Sequence, residues 1–394
     1  MGFRAPYHGP NSLTPNSGRE TVDLTVFAGA RLWSDAELWI NEEIDQGRGL
    51  DDTLGVAGFP SAEAYKVGHN SPYFRLPRAF IRQTLNLGER TDSVAAAANQ
   101  FAAARSADRW VLTIGKISVA DIFDTNQYAH DPRGDFLNWS IVDTGSFDYA
   151  ADAWGYTVGA AAEWYGGAWA IRLGSFDLSD VPNSTRLDPG FHEFQMVAEL
   201  ERRYQLRGYQ GRLMLTAFDS RGRMGLLNQA VQVARATDTP VNIASVRQYR
   251  SRLGVSLDLE QPLTDHLGMF ARLGKAAGNV ESYEFTDIDR TVATGLALKG
   301  SGWGRPSDTY GLAGVLNGIS GARERFLNAG GLGLLVGDGQ LPRPGPEKIL
   351  ETYYDAALYP WMQVTLDYQY VTHPAYNLER GPVSVWAVRV HAQW

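Results

Sequence analysis

The 394-residue sequence contains no cysteine, and only 20% of its residues are charged. It also has no window that approaches the roughly 18 uncharged apolar residues a membrane-spanning helix requires. If the chain crosses a membrane, it must therefore cross as a closed sheet. The net charge of −8 argues against nucleic acid as a partner. The lack of cysteine is compatible with a route through the periplasm.

Glycine and aromatic residues are abundant, with 42 Gly, 16 Phe, 18 Tyr and 11 Trp. Both a large soluble all-β protein and a membrane barrel have this composition, so composition alone does not separate them. No linker, charge block or repeat of fixed period divides the chain. We therefore treat residues 1–394 as a single domain.

The last twelve residues, VSVWAVRVHAQW, alternate with a period of two. Trp386, Val388, Val390 and Trp394 fall on one face of an extended strand, and residues such as Arg389 fall on the other. A soluble edge strand rarely stops on an exposed Trp. A barrel in the outer membrane has a reason to, because a terminal aromatic residue lies in the girdle where the last strand closes the wall.

The same alternation recurs down the chain, and the ionisable residues keep almost entirely to one face. Tryptophan and tyrosine recur where the predicted strands end, as interfacial girdles require. The tryptophans at these positions are Trp33, Trp110, Trp154, Trp164, Trp169, Trp361, Trp386 and Trp394. The pattern predicts an all-β fold, a transmembrane antiparallel β-barrel with charge facing the lumen and apolar side chains facing lipid.

Connections between the predicted strands alternate between short turns and long loops, which is the asymmetry of outer-membrane barrels. The long outer loops are expected near residues 45–73, 119–153, 177–193, 221–249, 275–286, 320–347 and 372–382. About fifteen strands are legible. Because a single-chain barrel of this class has an even number of strands, we expect an initial strand and an export signal upstream of Met1 and about sixteen strands in the intact protein. A barrel of that size encloses an aqueous channel.

Several stretches resemble the carbohydrate-selective porins of the OprB family. They are FRLPRAFIRQT (74–84), GKISV (115–119), DIFDTNQYAHDPRGDFLNW (121–139), GRPSD (304–308) and YPWMQVTLDYQYV (359–371). The opening FRAPYHGPNSL (3–13) resembles the family's first outer loop rather than its first strand. The resemblance implies a channel of about sixteen strands in the Gram-negative outer membrane that passes sugars by diffusion.

Arg75, Arg78 and Arg82 are the sharpest candidates for solute contact, and we expect them to face acids such as Glu37 and Glu43 across the lumen. Fixed donors and acceptors can replace the hydration of sugar hydroxyls stepwise. The alternative is that these Arg and Glu side chains only satisfy one another and brace the wall. The full set of predicted pore-lining residues is Glu37, Trp39, Asn41, Glu43, Arg75, Arg78, Phe80, Arg82, Asp121, Asp124, Asn126 and Trp139.

The segment 121–152 is dense in Asp, Asn and aromatic residues, and folded inward it could narrow the pore. Its carboxylates could in principle bind calcium, but their spacing matches no known calcium loop, so we expect no metal and no cofactor. A solvated outer loop is the other interpretation for most of these residues.

Other functions are weighed against sugar diffusion. The sequence contains no Gly-x-Ser-x-Gly elbow, no HExxH and no dinucleotide fingerprint, so we expect no enzyme. A general or ion-preferring pore is the first alternative, although a lumen of mixed sign disfavours it. A soluble all-β binding protein is the second. The expected partners are carbohydrate solutes and outer-membrane lipid, with the chain a monomer or a homotrimer.

Overall fold

The computed structural model describes residues 2–3, 18–49, 55–63, 67–188, 190–337 and 339–394. The strands of this part of the chain are β1 Gly2–Phe3, β2 Thr21–Arg31, β3 Ala36–Gly47, β4 Tyr73–Asn86, β5 Thr91–Val94, β6 Ala103–Ser106, β7 Arg109–Ile117, β8 Thr157–Gly166, β9 Trp169–Asp177, β10 Phe194–Leu206, β11 Tyr209–Met224, β12 Gln248–Pro262, β13 Leu267–Ala276, β14 Arg290–Gly300, β15 Arg305–Gly318, β16 Glu347–Tyr359, β17 Met362–Thr372 and β18 Val383–Ala392. Fifteen of them are nine to sixteen residues long, which is enough to cross a membrane.

The long strands form one antiparallel sheet in which neighbours in sequence are neighbours in space. The order skips β5 and β6, which pair only with each other, so β4 is bonded to β7. The two residues of β1 pair with β18. Residues 4–13 of the opening motif lie outside the described part of the chain.

The two faces of the sheet differ in the predicted way. On β12 the side chains of Leu253 and Val255 are exposed, whereas those of Arg252 and Ser256 are buried. On β18 the exposed fraction reaches 67% at Val388. Two stacked sheets would bury the apolar face instead. The outward leucines and valines and the inward charges therefore confirm a transmembrane antiparallel β-barrel.

The two ends of the barrel also differ. Short turns at residues 167–168, 207–208, 263–266, 301–304 and 360–361 lie at one end, which we call the short-turn end. The long connections lie at the opposite end, the loop end. One connection breaks this rule, because residues 87–108 at the short-turn end carry the β5–β6 hairpin. The sequence analysis missed this hairpin.

The interior of the barrel is filled mainly by loop residues. Residues 118–156 and 277–289 enter from the loop end, and their apolar side chains, such as Phe123, Phe147 and Ile288, form much of the buried core. Three short helices lie in the connections: α1 Trp139–Val142, α2 Leu227–Thr237 and α3 Gly321–Asn328. Among the described residues, no helix has the length and apolarity needed to span a membrane.

One predicted girdle residue is placed elsewhere. The alternation assigned Trp154 to the strand that contains Trp164, but β8 begins only at Thr157. The Asp152 carboxylate accepts hydrogen bonds from the amides of Trp154 and Tyr156, at 2.9 and 3.2 Å, and so holds a turn where the pattern suggested a strand. Trp154 therefore packs inside the barrel and not in the girdle.

Candidate functional site

The predicted arginines and acids lie side by side on neighbouring strands. Arg82 is in register with Glu37, Arg78 with Asn41, and Arg75 with Glu43. A register shift between the last two pairs places an extra residue on β4 near Pro77, and a bulge is one of the few sheet positions that tolerate proline. The expectation that the arginines face Glu37 and Glu43 across the lumen is therefore wrong. The two sets form one ladder on the inner face of β3 and β4.

Two rungs of the ladder are closed by ion pairs. Arg75 Nη1 lies 3.2 Å from Asp45, and its guanidinium lies over the ring of Trp154 at 4.6 Å. Arg78 donates two hydrogen bonds to Asp121, at 2.8 and 2.6 Å. Such bidentate pairs are strong and fixed in geometry. For Arg78, bracing between the wall and the inward loop is therefore an observed role.

Arg82 is held differently, by the hairpin at the short-turn end. Its Nη1 donates to the carbonyl of Asn99 at 2.8 Å, and its guanidinium lies 5.0 Å from the ring of Phe80. The predicted residue Glu37 lies 3.8 Å from Arg105 of the same hairpin. The hairpin thus reaches into the mouth of the lumen and contacts both ends of this rung.

Trp39 is buried beside the Arg82–Glu37 rung, and its indole fits there because the residue opposite it is a glycine. Gly29 lies opposite it on β2, and a Cβ at Gly29 would come within 2.5 Å of the indole. Phe101 of the hairpin covers the ring at a centroid distance of 4.6 Å. A sugar could therefore stack on Trp39, one of the predicted pore-lining residues, only if the hairpin moved or if the sugar approached the edge of the ring.

Three predicted residues, Asn41, Glu43 and Trp139, keep polar atoms without a hydrogen-bond partner among the described residues. Both side-chain atoms of Asn41 and the Oε2 atom of Glu43 are buried and make no hydrogen bond to any described residue. The other oxygen of Glu43 accepts from Thr25 at 2.9 Å. Buried polar atoms are nearly always hydrogen-bonded, and a group left unsatisfied costs about 1–3 kcal/mol. Because the atoms of Asn41 and Glu43 are also buried, a water or a solute must enter the interior beside β3 to pair with them.

The inward loop, residues 118–156, is tied to the far wall by Arg272 of β13. This fully buried guanidinium donates to the carbonyls of Asp124, Ala129, Ile141 and Val142, at 2.6 to 3.2 Å. It is also paired with a wall carboxylate, Asp258, at 2.8 Å. The Arg272 guanidinium thus binds four backbone carbonyls of the loop and connects them to the barrel wall.

Carboxylates on the last strands hold the same loop. Glu351 of β16 accepts from the amides of Leu137 and Asn138, at 2.5 and 3.1 Å. The side-chain Nδ2 of Asn138 donates to Oε1 of Gln369 on β17 at 2.9 Å. Arg389 of β18 donates to the carbonyl of Asp135. The loop is therefore anchored to strands around most of the circumference, and it occupies the interior of the barrel.

The remaining predicted residues of the loop have structural roles. Asp124 accepts from the amide and hydroxyl of Thr144 at 2.5 and 2.7 Å, and Asn126 donates to Asp258 at 2.8 Å. Trp139 is buried and stacks on Phe59 at 5.4 Å. These three side chains shape the constriction from within and do not line it.

Two ionisable groups of the loop are strongly perturbed. Burial raises the pKa of Asp124, partly offset by the charge of Arg272. Burial alone would lower the pKa of His130, but the hydrogen bond and charge of Asp143, with Nδ1 and Oδ1 3.2 Å apart, raise it to about 9. His130 is therefore a cation at neutral pH and adds to the pairing within the loop.

A cavity of about 250 Å³ lies between the hairpin and the wall, below the ladder. Its polar lining includes Arg82, Arg105, Arg109, Glu163 and Tyr165. Fixed donors and acceptors thus continue from the ladder toward the short-turn end. Within the described residues, no cluster of three or more His, Asp or Glu side chains could hold a metal ion.

The sequence analysis missed most of the residues that position the constriction. Arg272, Glu351, Gln369 and Arg389 all lie on lumen-facing positions of predicted strands. The alternation predicts that these side chains face the lumen, but it does not predict their partners. Each of them binds a loop residue that is more than a hundred positions away in the sequence. A charged residue at a lumen-facing position was the available signal.

Comparison with known proteins agrees with this architecture. The model of the carbohydrate-selective porin, OprB family, matches residues 14–394. No curated protein matches the chain. The high-pH structure of Pseudomonas putida OprB is 17% identical, with 99% of this chain and 91% of that chain covered and a TM-score of 0.73. The low-pH structure of that protein is 13% identical, with 95% and 85% covered and a TM-score of 0.51.

The two solved structures show a shared fold, and the family match spans nearly the whole chain. The outward apolar face, the lumen-facing charges and the inward loop are the parts such a channel needs. The chain belongs to the OprB family of carbohydrate-selective porins, and it forms a selective diffusion channel in the outer membrane of a Gram-negative bacterium.

Proposed function

We propose that mono- and disaccharides pass along the ladder of β3 and β4. We call this path the polar lane, and define it by Glu37, Asn41, Glu43, Arg75, Arg78 and Arg82. The observation that carries the proposal is the pair of unsatisfied side chains at its centre, Asn41 and Glu43. Together they offer one NH₂ donor group and two acceptor oxygens, the groups that sugar hydroxyls can pair with.

The chemistry of the lane suits a neutral polyol. Each rung presents a guanidinium on β4 beside a carboxylate or an amide on β3, so the sign of the charge changes over a single strand spacing. A hydroxyl can donate to one side and accept from the other, and so exchange water for protein stepwise. A small ion would meet both signs at the Arg82–Glu37 and Arg75–Glu43 rungs, which disfavours strong ion selectivity.

The test is sugar flux through the purified porin in liposomes, with conductance block by mono- and disaccharides in planar bilayers. Asn41→Leu keeps the shape of the residue and removes its donor and acceptor. Because the amide has no described protein partner, we expect thermal stability to be unchanged or higher, while sugar block weakens several-fold. Arg82→Ala should reduce sugar flux more than it reduces stability.

Ser256→Ala is the matched control, since Ser256 is a buried lumen-facing polar residue of β12, away from the lane. It should leave both sugar block and salt conductance as in the wild type. Equal sugar block in Asn41→Leu, Arg82→Ala and the wild type contradicts the lane. Sugars that never block, together with a strong preference for one ion sign, support the ion-preferring alternative.

A further inference from the structure

Cations on the outer face of the barrel are concentrated at the loop end of β11 to β16. We call this set the outer cation belt, and its members are Arg221, Arg223, Lys275, Arg290 and Lys348. Each is exposed and shares its outward orientation with the apolar side chains of its own strand. On β11, for example, Arg221 and Arg223 continue the face that carries Leu213 and Leu215. The belt therefore borders the apolar band.

The arrangement of the belt is unfavourable for the protein by itself. Lys275 and Arg290 lie directly opposite each other on β13 and β14, and like charges in that position repel. Within the described residues, Lys275, Arg290 and Lys348 make no ion pair and no side-chain hydrogen bond to an acid. The buried lumen arginines Arg172, Arg252 and Arg272, by contrast, are each paired with an acid.

The geometry spreads these charges along the surface. The side chain of Arg290 lies over Gly318 of β15. A Cβ at Gly318 would come within 2.6 Å of the Nε atom of Arg290. Leu316, two residues earlier on that strand, is in register with Lys348. The three cations thus occupy adjoining positions on β13, β14 and β16 and can contact a single polyanion.

The other two members extend the belt toward β11. Arg221 lies over the ring of Tyr249 at 5.4 Å. The side chain of Arg223 is 72% exposed, and its contact with Glu193 is loose at 3.8 Å. Asp219 is the nearby outward acid, and it accepts a hydrogen bond from Ser251 at 3.3 Å. The two arginines therefore remain open to an external anion.

At the short-turn end, the neighbouring strand β10 carries an outward arginine, Arg202, which lies over Trp169 at 4.6 Å. Because short turns face the periplasm in outer-membrane barrels, the belt lies at the level of the outer leaflet. A cation row above an apolar band matches an amphiphile with anionic groups at the same height.

We propose that the outer cation belt binds the phosphate groups of the phosphorylated glycolipid of the outer leaflet. Lys275, Arg290 and Lys348 hold one phosphorylated head group, with its acyl chains on the apolar band below. The phosphate relieves the repulsion between Lys275 and Arg290. This interaction is independent of the polar lane, so failure of one proposal leaves the other in place.

The test measures binding of bisphosphorylated lipid A to the detergent-solubilised porin by native mass spectrometry and by its shift of the unfolding temperature. An exposed cation near a membrane surface contributes about 1 kcal/mol, so each Lys or Arg to Gln change should weaken binding about fivefold. The triple variant Lys275→Gln, Arg290→Gln, Lys348→Gln should weaken it on the order of a hundredfold. Arg202→Gln is the matched control and should bind as the wild type does.

Comparison of three ligands distinguishes binding of the phosphorylated lipid from binding of the lipid alone or of free phosphate. The proposal expects strong binding of bisphosphorylated lipid A, weak binding of its dephosphorylated form, and no thermal shift with inorganic phosphate at the same concentration. Equal binding of the phosphorylated and dephosphorylated lipids overturns it, as does wild-type affinity in the triple variant. If the triple variant does not fold, the three single variants give the same decision, each against Arg202→Gln.

Discussion

Substitution of Arg272 by Gln should loosen the constriction. The wild-type guanidinium donates to four loop carbonyls and is paired with Asp258. Removing one partner of a buried ion pair costs about 3–5 kcal/mol, because the other charge is left uncompensated. Hydrogen bonds to charged groups contribute about 1.5–3 kcal/mol each, so most of the loss falls on the contact between loop and wall.

A loss of about 3 kcal/mol shifts an equilibrium by about 150-fold. A displaced loop that is negligible in the wild type therefore becomes measurable in Arg272→Gln. In planar bilayers we expect a larger mean single-channel conductance and more frequent fluctuations of the current. We also expect the channel to discriminate less between mono- and disaccharides. Unfolding in detergent, followed by circular dichroism, should move to lower temperature.

Arg172→Gln provides the comparison, since Arg172 is equally buried but is paired with the wall carboxylates Glu163, Glu199 and Glu201. Within the described residues, Arg172 forms no hydrogen bond or ion pair with the inward loop itself. We expect a similar loss of stability with near wild-type conductance. If both variants change conductance alike, or if Arg272→Gln destabilises the barrel with unchanged conductance, the assignment of the loop as a constriction held by Arg272 is wrong.

Three other changes probe separate parts of the structure. Gly115→Ala should lower the unfolding temperature, because φ is +139° there and a Cβ would come within 2.3 Å of a neighbouring carbonyl oxygen. Phe101→Ala uncovers Trp39, so limited proteolysis should cut residues 87–108 faster while the barrel stays intact. The raised pKa of His130 means that its stabilisation is present below the usual value of 6.5 and is lost as pH rises through about 9. Conductance noise should therefore grow between pH 7 and 10 in the wild type but not in His130→Gln, where the partner Asp143 no longer meets a titrating group.

Alternation predicted the strands and their facing because a period of two is a local property of the backbone. The outward position of Leu253 and the inward position of Arg252 follow from parity alone. The fifteen long strands could be predicted and the family resemblance recognised for the same reason, since each depends on short stretches of sequence. The lumen facing of Glu37, Asn41 and Arg82 was predicted in this way.

Partners across long separations were not predictable from this pattern. Arg78 was expected to face acids of β3, yet its carboxylate is Asp121, 43 residues away on the inward loop. The bulge near Pro77 reverses the parity of β4, because Phe74 and Leu76 are exposed before it and Leu85 is exposed after it. The hairpin at residues 87–108 was missed because its strands, TDSV and AARS, are only four residues long and contain a single large apolar residue, Val94, which gives weak alternation.

The ties between the inward loop and the last strands bear on how the barrel assembles. Glu351 and Arg389 meet residues of the loop across separations of 214 and 254 positions, so these contacts form only after most of the chain has been placed. Contacts between residues that are far apart in the sequence slow folding. We therefore expect the contacts that fix the loop to β16 and β18 to form late in folding, so the width of the channel is set late as well.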